Sequence, residues 1–148
     1  MIKNVYEKID FGLDVKNVDE MNTLVLAYVG DVVYELYVRT FVVSTFDGKV
    51  NDIHKTSVNY VKASNQALGL ACIEEALTED EKGLVRRGRN NKNLSVPKNG
   101  NRKDYRDATG FEALLGYLYL AKENDRLEEV IMTVLQFLKR KSEEVKNG

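Results

Sequence analysis

The chain has 148 residues, enough for a single domain (1–148) that buries a substantial core. Hydrophobic residues make up 43% of it and charged residues 30%, a balance typical of a folded globular protein and not of a disordered one. The single cysteine, Cys72, has no partner for an internal disulfide, and one cysteine with one histidine excludes a zinc cluster. No secretion leader opens the sequence, so we expect a cytoplasmic protein.

The net charge of −1 conceals an uneven distribution. The segment 82–106 holds nine basic residues and one acid, a net charge of +8, which leaves −9 for the rest of the chain. Such a segment is typical of a surface that binds nucleic acid, although a solvated charged loop would give the same pattern. Eight of its residues are candidate nucleic-acid contacts: Arg86, Arg87, Arg89, Lys92, Lys98, Arg102, Lys103 and Arg106.

Residues 1–20 are weakly periodic and predict a short lead-in segment that lies on the body. The stretch 22–43, NTLVLAYVGDVVYELYVRTFVV, is apolar on nearly all sides and predicts a buried helix with Asp19 or Asn22 as its N-cap. Charged residues within the run argue against a membrane-spanning helix. Asp31 lies near its middle, and a buried carboxylate is costly unless a cation or donor meets it. Asp31 is therefore either a structural ion-pair partner or a functional group.

Residues 46–49 contain Asp-Gly and predict a turn. A helix from about residue 52 follows, with Val58 and Val61 on its predicted buried face, and a further helix runs from about residue 64 to residue 77.

The first of these helices carries His54, the only histidine, and Lys55. Both side chains are either ordinary surface groups or contacts to a phosphate, and the pattern leaves the two interpretations open.

Thr78 and Glu81 form a capping box that opens a helix ending at 86–89. The segment 90–102, rich in Asn, Gly, Lys and Arg, is the one long loop that the sequence predicts, and long loops tend to be functional. In the final helix, Asp125 with Glu128 is the predicted cap. Its predicted buried stripe consists of Leu127, Val130, Ile131, Val134, Leu135 and Leu138.

The stretch 105–121, YRDATGFEALLGYLYLA, predicts a second helix that is apolar on all sides, with Glu112 embedded in it. Gly110 and Gly116 indicate a close approach to another helix. Two such helices in a small domain should pack together and bring Asp31 and Glu112 to a shared site. Paired carboxylates of this kind are a common arrangement for a hard divalent cation.

Two stretches resemble the ribonuclease III family. LAYVGDVVYELYVR resembles its signature helix, in which an acid follows Leu/Val-Gly, and ATGFEALLGYLYL resembles a later helix that carries a metal-binding Glu. The resemblance covers residues 21–137 and is greatest to the small Mini-III members, which lack the appended double-stranded-RNA-binding domain. The two motifs at this spacing are specific together, whereas either alone would be weak.

The resemblance implies an all-α helical bundle of the ribonuclease III endonuclease type. It further implies a homodimer that cleaves double-stranded RNA with Mg²⁺ and matures ribosomal RNA precursors. Asp31 matches the family's principal catalytic acid and Glu112 its metal-ligand Glu, so both are expected to bind the metal. The eight basic residues then become candidate RNA contacts, suited to the shape and backbone of an A-form duplex.

The chain departs from larger family members at two positions. Ala27 replaces a Glu and Thr109 replaces an Asp, which leaves the number and tightness of bound metals open. Thr109, one turn before Glu112, could orient a water beside the cation, but a hydrogen bond to the backbone is the simpler expectation. His54 and Lys55 are two further candidates for such a supporting role.

Two other functions compete with the endonuclease. A catalytically inactive module of the same fold would bind structured RNA without cutting it, but it would have no need of two paired acids. A helical DNA-binding protein would need a recognition helix, whereas the basic residues here are predicted to lie largely in a loop.

Overall fold

The computed structural model describes residues 14–147, so most of the predicted lead-in segment lies outside the described residues. Within this range all regular structure is helical and no strand occurs. Short 3₁₀ turns lie at Val18–Glu20 and Glu74–Ala76. The six α-helices are α1 (Thr23–Thr45), α2 (Val50–Val61), α3 (Ala63–Ile73), α4 (Glu79–Arg89), α5 (Arg102–Leu120) and α6 (Asn124–Asn147). The all-α prediction is confirmed.

The two apolar helices, α1 and α5, form the centre of the bundle and make its most extensive helix–helix contact. Glycines bring their backbones together. A Cβ atom at Gly30 would lie 1.7 Å from the carbonyl oxygen of Glu112, and one at Gly116 would lie 1.9 Å from that of Leu26. The predicted close approach through Gly116 is thus confirmed, and Gly30 contributes equally from α1.

Gly110 makes a second close approach, toward α4. A Cβ atom there would lie 2.7 Å from the carbonyl oxygen of Val85, and one at Gly88 would lie 2.9 Å from the Cα of Gly110. Helix α5 therefore has close backbone contact with α1 on one side and with α4 on another.

Buried side chains then tie the outer helices to this centre. Tyr34 of α1 has no exposed surface, donates its hydroxyl to the Tyr60 carbonyl of α2 (3.2 Å) and packs edge-on against Phe111 of α5. Arg126 of α6 donates two hydrogen bonds to the Glu81 carboxylate of α4, at 2.8 and 2.9 Å. Each contact joins residues of different helices that are at least 26 positions apart along the chain.

The predicted helix ends are largely confirmed. Asn22 caps α1 by accepting from the Leu24 amide, and the Thr78–Glu81 capping box is present on α4. The apolar stripe of α6 is buried as predicted. Asp125, however, lies inside the first turn of α6 and does not cap it.

Three expectations about side-chain location were wrong. Asp31 is exposed, because α1 turns one face to solvent and is not buried all round. Val58 is 48% exposed, because α2 buries Ser57 and Tyr60 instead. The candidate RNA contacts lie mostly on helices, since only Lys92 and Lys98 fall in the loop between α4 and α5.

The described part of the chain contains no helix that is long and apolar enough to cross a membrane.

Replacing Gly30 by Ala should destabilise the fold by about 3 kcal/mol or more, because the added methyl group meets backbone atoms that cannot move aside. Gly83→Ala is the matched control. Its Cβ would meet only the flexible ends of two arginines at 3.4 Å or beyond, so the higher helix propensity of Ala should raise stability by about 0.5–1 kcal/mol. Urea denaturation of both variants measures the two effects, and equal effects would contradict the packing described.

Candidate active site

The crossing of α1 and α5 brings two carboxyl groups together. Asp31 directly follows Gly30, and the Gly30 Cα approaches the backbone of Glu112 itself. The two carboxyl groups lie close enough to interact directly, and this interaction raises the pKa of Glu112. The sequence-based expectation that both helices deliver one acid to a shared position therefore agrees with the geometry.

The surroundings of the pair are unequal. Asp31 is exposed, whereas Glu112 is half-buried. Burial, followed by the direct interaction with Asp31 and its negative charge, raises the pKa of Glu112 from 4.5 to about 9. Two carboxylates so close together repel each other when both are ionised, and a bound cation would relieve that repulsion.

Gln66, on α3, completes this cluster and was missed in the sequence. Its side chain is 4% exposed and lies beside Glu112, where it opposes the rise in the Glu112 pKa. Its Nε2 also donates to the Val61 carbonyl (2.8 Å), while its Oε1 is buried without a partner. Gln66 shares a helical face with the buried Leu70 and Ile73, and this polar residue at a core position was the available signal.

This donor set fits magnesium. Mg²⁺ takes hard oxygen ligands, keeps several of its own waters and needs only one or two carboxylates from the protein. Asp31 and Glu112 supply those carboxylates, and Gln66 adds a buried amide oxygen that lacks a partner. Across residues 14–147 there is no group of three or more His, Cys, Asp or Glu side chains placed to hold a metal.

The three residues predicted to support the site are Thr109, His54 and Lys55, and the structure gives each of them another contact or another location. The Thr109 hydroxyl donates to the Tyr105 carbonyl (2.9 Å), which is the simpler of the two alternatives considered. His54 and Lys55 are exposed on α2, and Lys55 lines a cleft with Thr45, about four helical turns beyond Asp31 along α1. We therefore do not include these residues in the site.

The eight basic residues predicted to contact RNA differ in their exposure and in their ion pairs. Five of the eight candidate RNA contacts are exposed and make no ion pair among residues 14–147: Arg86, Arg87, Lys92, Lys98 and Arg102. The first two share a cleft with Asp19, Glu79 and Asp80, so acids partly offset their charge. Arg106, on α5, is only partly exposed. Lys92, Lys98 and Arg102 are therefore the candidate RNA contacts most available to a polyanion.

Arg89 and Lys103 belong to an ion-pair network. Arg89 contacts Glu74 and the buried Asp107, each at 2.6 Å, and Lys103 contacts the second oxygen of Asp107, also at 2.6 Å. This network joins the last residue of α4 to the first turns of α5. It fixes both ends of the intervening loop, so Arg89 has a structural contact in this network, and its contact with RNA stays a prediction.

Comparison with known proteins agrees with this picture. The model of the Ribonuclease III domain family matches residues 24–123. The Mini-ribonuclease 3 of Clostridium tetani is 43% identical over 129 residues, covering 86% of this chain and 85% of that protein. The Mini-ribonuclease 3 of Thermoanaerobacter sp. is 49% identical over 118 residues, covering 80% and 83%. The crystal structure of a Fusobacterium nucleatum protein, 28% identical, matches with a TM-score of 0.72 over 82% of this chain and 98% of that chain.

The chain belongs to the ribonuclease III family and is an endoribonuclease. The predicted resemblance to the Mini-III members is confirmed by relatives named Mini-ribonuclease 3 at 36–49% identity.

Replacing Glu112 by Gln should stabilise the metal-free protein at neutral and alkaline pH. Between its ordinary pKa of 4.5 and its raised pKa of about 9, Glu112 holds a proton in the folded state that the unfolded chain releases. Stability therefore falls as the pH rises through this window, and a Gln, which does not titrate, escapes that loss.

The measurement is thermal unfolding in EDTA. The melting temperature of Glu112→Gln should exceed that of the unaltered protein by a few degrees at about pH 8.5, and the difference should shrink toward about pH 5. Glu144→Gln, at an exposed position on α6, should show no such trend. A difference that stays constant or shrinks with rising pH would show that Glu112 is not destabilised by its surroundings.

Proposed function

We propose that this endoribonuclease cleaves double-stranded RNA with magnesium, as a homodimer, and that it matures ribosomal RNA precursors in the cytoplasm. The observation that carries the proposal is the close pair of carboxyl groups, Asp31 and Glu112, at the crossing of α1 and α5. Similarity to the Mini-ribonuclease 3 proteins supports the nuclease chemistry, and the choice of ribosomal RNA rests on the family resemblance alone.

The residues suit phosphodiester hydrolysis. Asp31 and Glu112 would hold the magnesium ion, which when bound stabilises charge on the phosphate and makes a water more acidic. The exposure of Asp31 leaves the site open to a large substrate. The half-buried Glu112 lies beside the Gln66 amide on its buried side. The ionised carboxylates can also accept hydrogen bonds from the attacking water and keep it oriented.

Changing Asp31 to Asn should reduce cleavage by orders of magnitude while leaving the fold and RNA affinity largely intact, because shape is kept and the metal-binding charge is lost. Glu112→Gln should behave in the same way. The assay incubates each protein with long double-stranded RNA, single-stranded RNA and duplex DNA, with and without Mg²⁺. Cleavage by either variant near the unaltered rate at saturating Mg²⁺ would place the site elsewhere, and cutting of all three substrates alike would contradict the specificity.

The loop between α4 and α5 is the favoured RNA-binding surface. It carries the exposed Lys92 and Lys98, and the Arg89–Asp107 ion pair fixes its base against the helices. Double-stranded RNA is recognised mainly through phosphates and sugars, which suits lysines on a loop.

Replacing Lys92 and Lys98 by Ala should weaken RNA binding and flatten its salt dependence. Each lost phosphate contact removes about 0.7–0.9 from the slope of log K against log salt, so the double variant should lose roughly one to two units. The kcat at saturating RNA should change little, because the two carboxylates are untouched. Ala at Lys139 and Arg140 on α6 is the control, and equal slopes for the two double variants would show that RNA lies elsewhere.

A second copy of the chain is the partner that fits the exposed face of α1. Three large side chains on this face, Tyr28, Val32 and Leu36, are 79%, 65% and 38% exposed. They form an apolar stripe at helical spacing beside Asp31, and an exposed apolar stripe of this kind indicates an interface. A two-fold dimer would bury it and present two sites to the two strands of a duplex.

Val32→Asp should give a folded monomer, because a two-fold interface would place two unpaired carboxylates against apolar surface. Light scattering at micromolar concentration measures the state, and circular dichroism checks the fold. Val145→Asp, at an 82% exposed position on α6, should stay dimeric. If the unaltered protein is monomeric in this assay, the proposed dimer is wrong.

A further inference from the structure

Gln66 stands out among the polar groups of the core. It is 4% exposed, and it lies on α3, a helix that contributes neither carboxylate. Its Nε2 donates to the Val61 carbonyl at 2.8 Å, its amide lies beside Glu112 and lowers the pKa of that carboxyl, and its Oε1 is buried with no partner among the described residues.

A purely structural role accounts poorly for this arrangement. A buried acceptor left without a donor costs free energy, and an apolar side chain of similar size would avoid that cost. The junction between α2 and α3 is also held by Asn65, whose Nδ2 donates to the Asn59 carbonyl at 2.6 Å. The buried amide of Gln66 therefore calls for a reason other than joining the two helices.

We propose that Gln66 is a positioning residue of the metal site. Its amide N–H holds the Glu112 carboxyl in place toward Asp31, and its Oε1 offers a buried acceptor to the hydration shell of the cation. This inference rests on the proposed magnesium-dependent function and adds a helix to the site, since α3 then joins α1 and α5. Loss of a group that orients a metal ligand in this way typically lowers the affinity for the metal by about 10-fold or more.

The first test compares magnesium binding by three full-length proteins using isothermal titration calorimetry: unaltered, Gln66→Met and Asn65→Ala. Met keeps the buried volume and removes the amide, whereas Asn65→Ala removes a hydrogen bond at the same junction without touching Glu112. We expect Gln66→Met to weaken Mg²⁺ binding by about 10-fold and to shift the Mg²⁺ midpoint of cleavage equally, with Asn65→Ala close to the unaltered protein.

A second variant, Gln66→Glu, covers the case in which Met disrupts folding. It keeps the shape and acceptor oxygens but loses the amide donor beside Glu112. We expect a lower melting temperature than the unaltered protein in EDTA, together with a larger rise on adding Mg²⁺, because the cation offsets the added charge.

The outcomes separate the inference from the function on which it rests. If the unaltered protein binds Mg²⁺ and Gln66→Met binds it equally well, Gln66 is only a structural residue. The same conclusion follows if Mg²⁺ raises the melting temperature of Gln66→Glu no more than that of the unaltered protein. If the unaltered protein binds no Mg²⁺ and cleaves RNA without it, the proposed metal dependence fails first.

Discussion

The rest of the structure depends on the backbone contact between α1 and α5. Gly30 and Gly116 each face a carbonyl oxygen of the opposite helix, at distances that leave no room for a side chain. Because the two backbones meet there, Asp31, next to Gly30, comes within hydrogen-bonding reach of Glu112. A wider crossing would separate the two carboxyl groups, so the same glycines serve the packing of the core and the geometry of the site.

The fold holds the carboxyl groups of Asp31 and Glu112 close together, although the two groups repel each other when both are ionised. Burial and the neighbouring Asp31 raise the pKa of Glu112 to about 9, which shows that the metal-free site favours a proton where the proposed function needs a cation. The surrounding fold tolerates this local cost because its own contacts are extensive, including Tyr34 in the core and the paired Arg126 and Glu81 between α6 and α4. Functional sites are commonly less stable than the scaffold that carries them.

Much of the fold follows from local pattern. Helical periodicity, the Asn22 cap and the Thr78–Glu81 capping box predict most helices and their ends, because they depend on residues only a few positions apart. The pairing of Asp31 with Glu112 was predictable for a different reason, since two long apolar helices in one small domain have few other surfaces to cover.

Other features depend on contacts between distant residues and were not predictable in this way. An apolar residue can face the core or another chain, so the apolar pattern of α1 predicted a buried Asp31 on a face that is exposed in the structure. The ion pair of Arg89 with Asp107 joins residues 18 positions apart, so charge counting alone could not predict it. Gln66 became part of the site only when α3 was seen against Glu112.

The most direct measurement of the central claim is the location of a bound cation. Crystals grown with Mn²⁺, which takes the same oxygen ligands as Mg²⁺, would show the metal by its anomalous scattering. The account predicts a peak between the carboxyl groups of Asp31 and Glu112, with no metal at the basic cleft lined by Lys55 and Lys139. A peak elsewhere, with the carboxyl groups of Asp31 and Glu112 still next to each other, would contradict it.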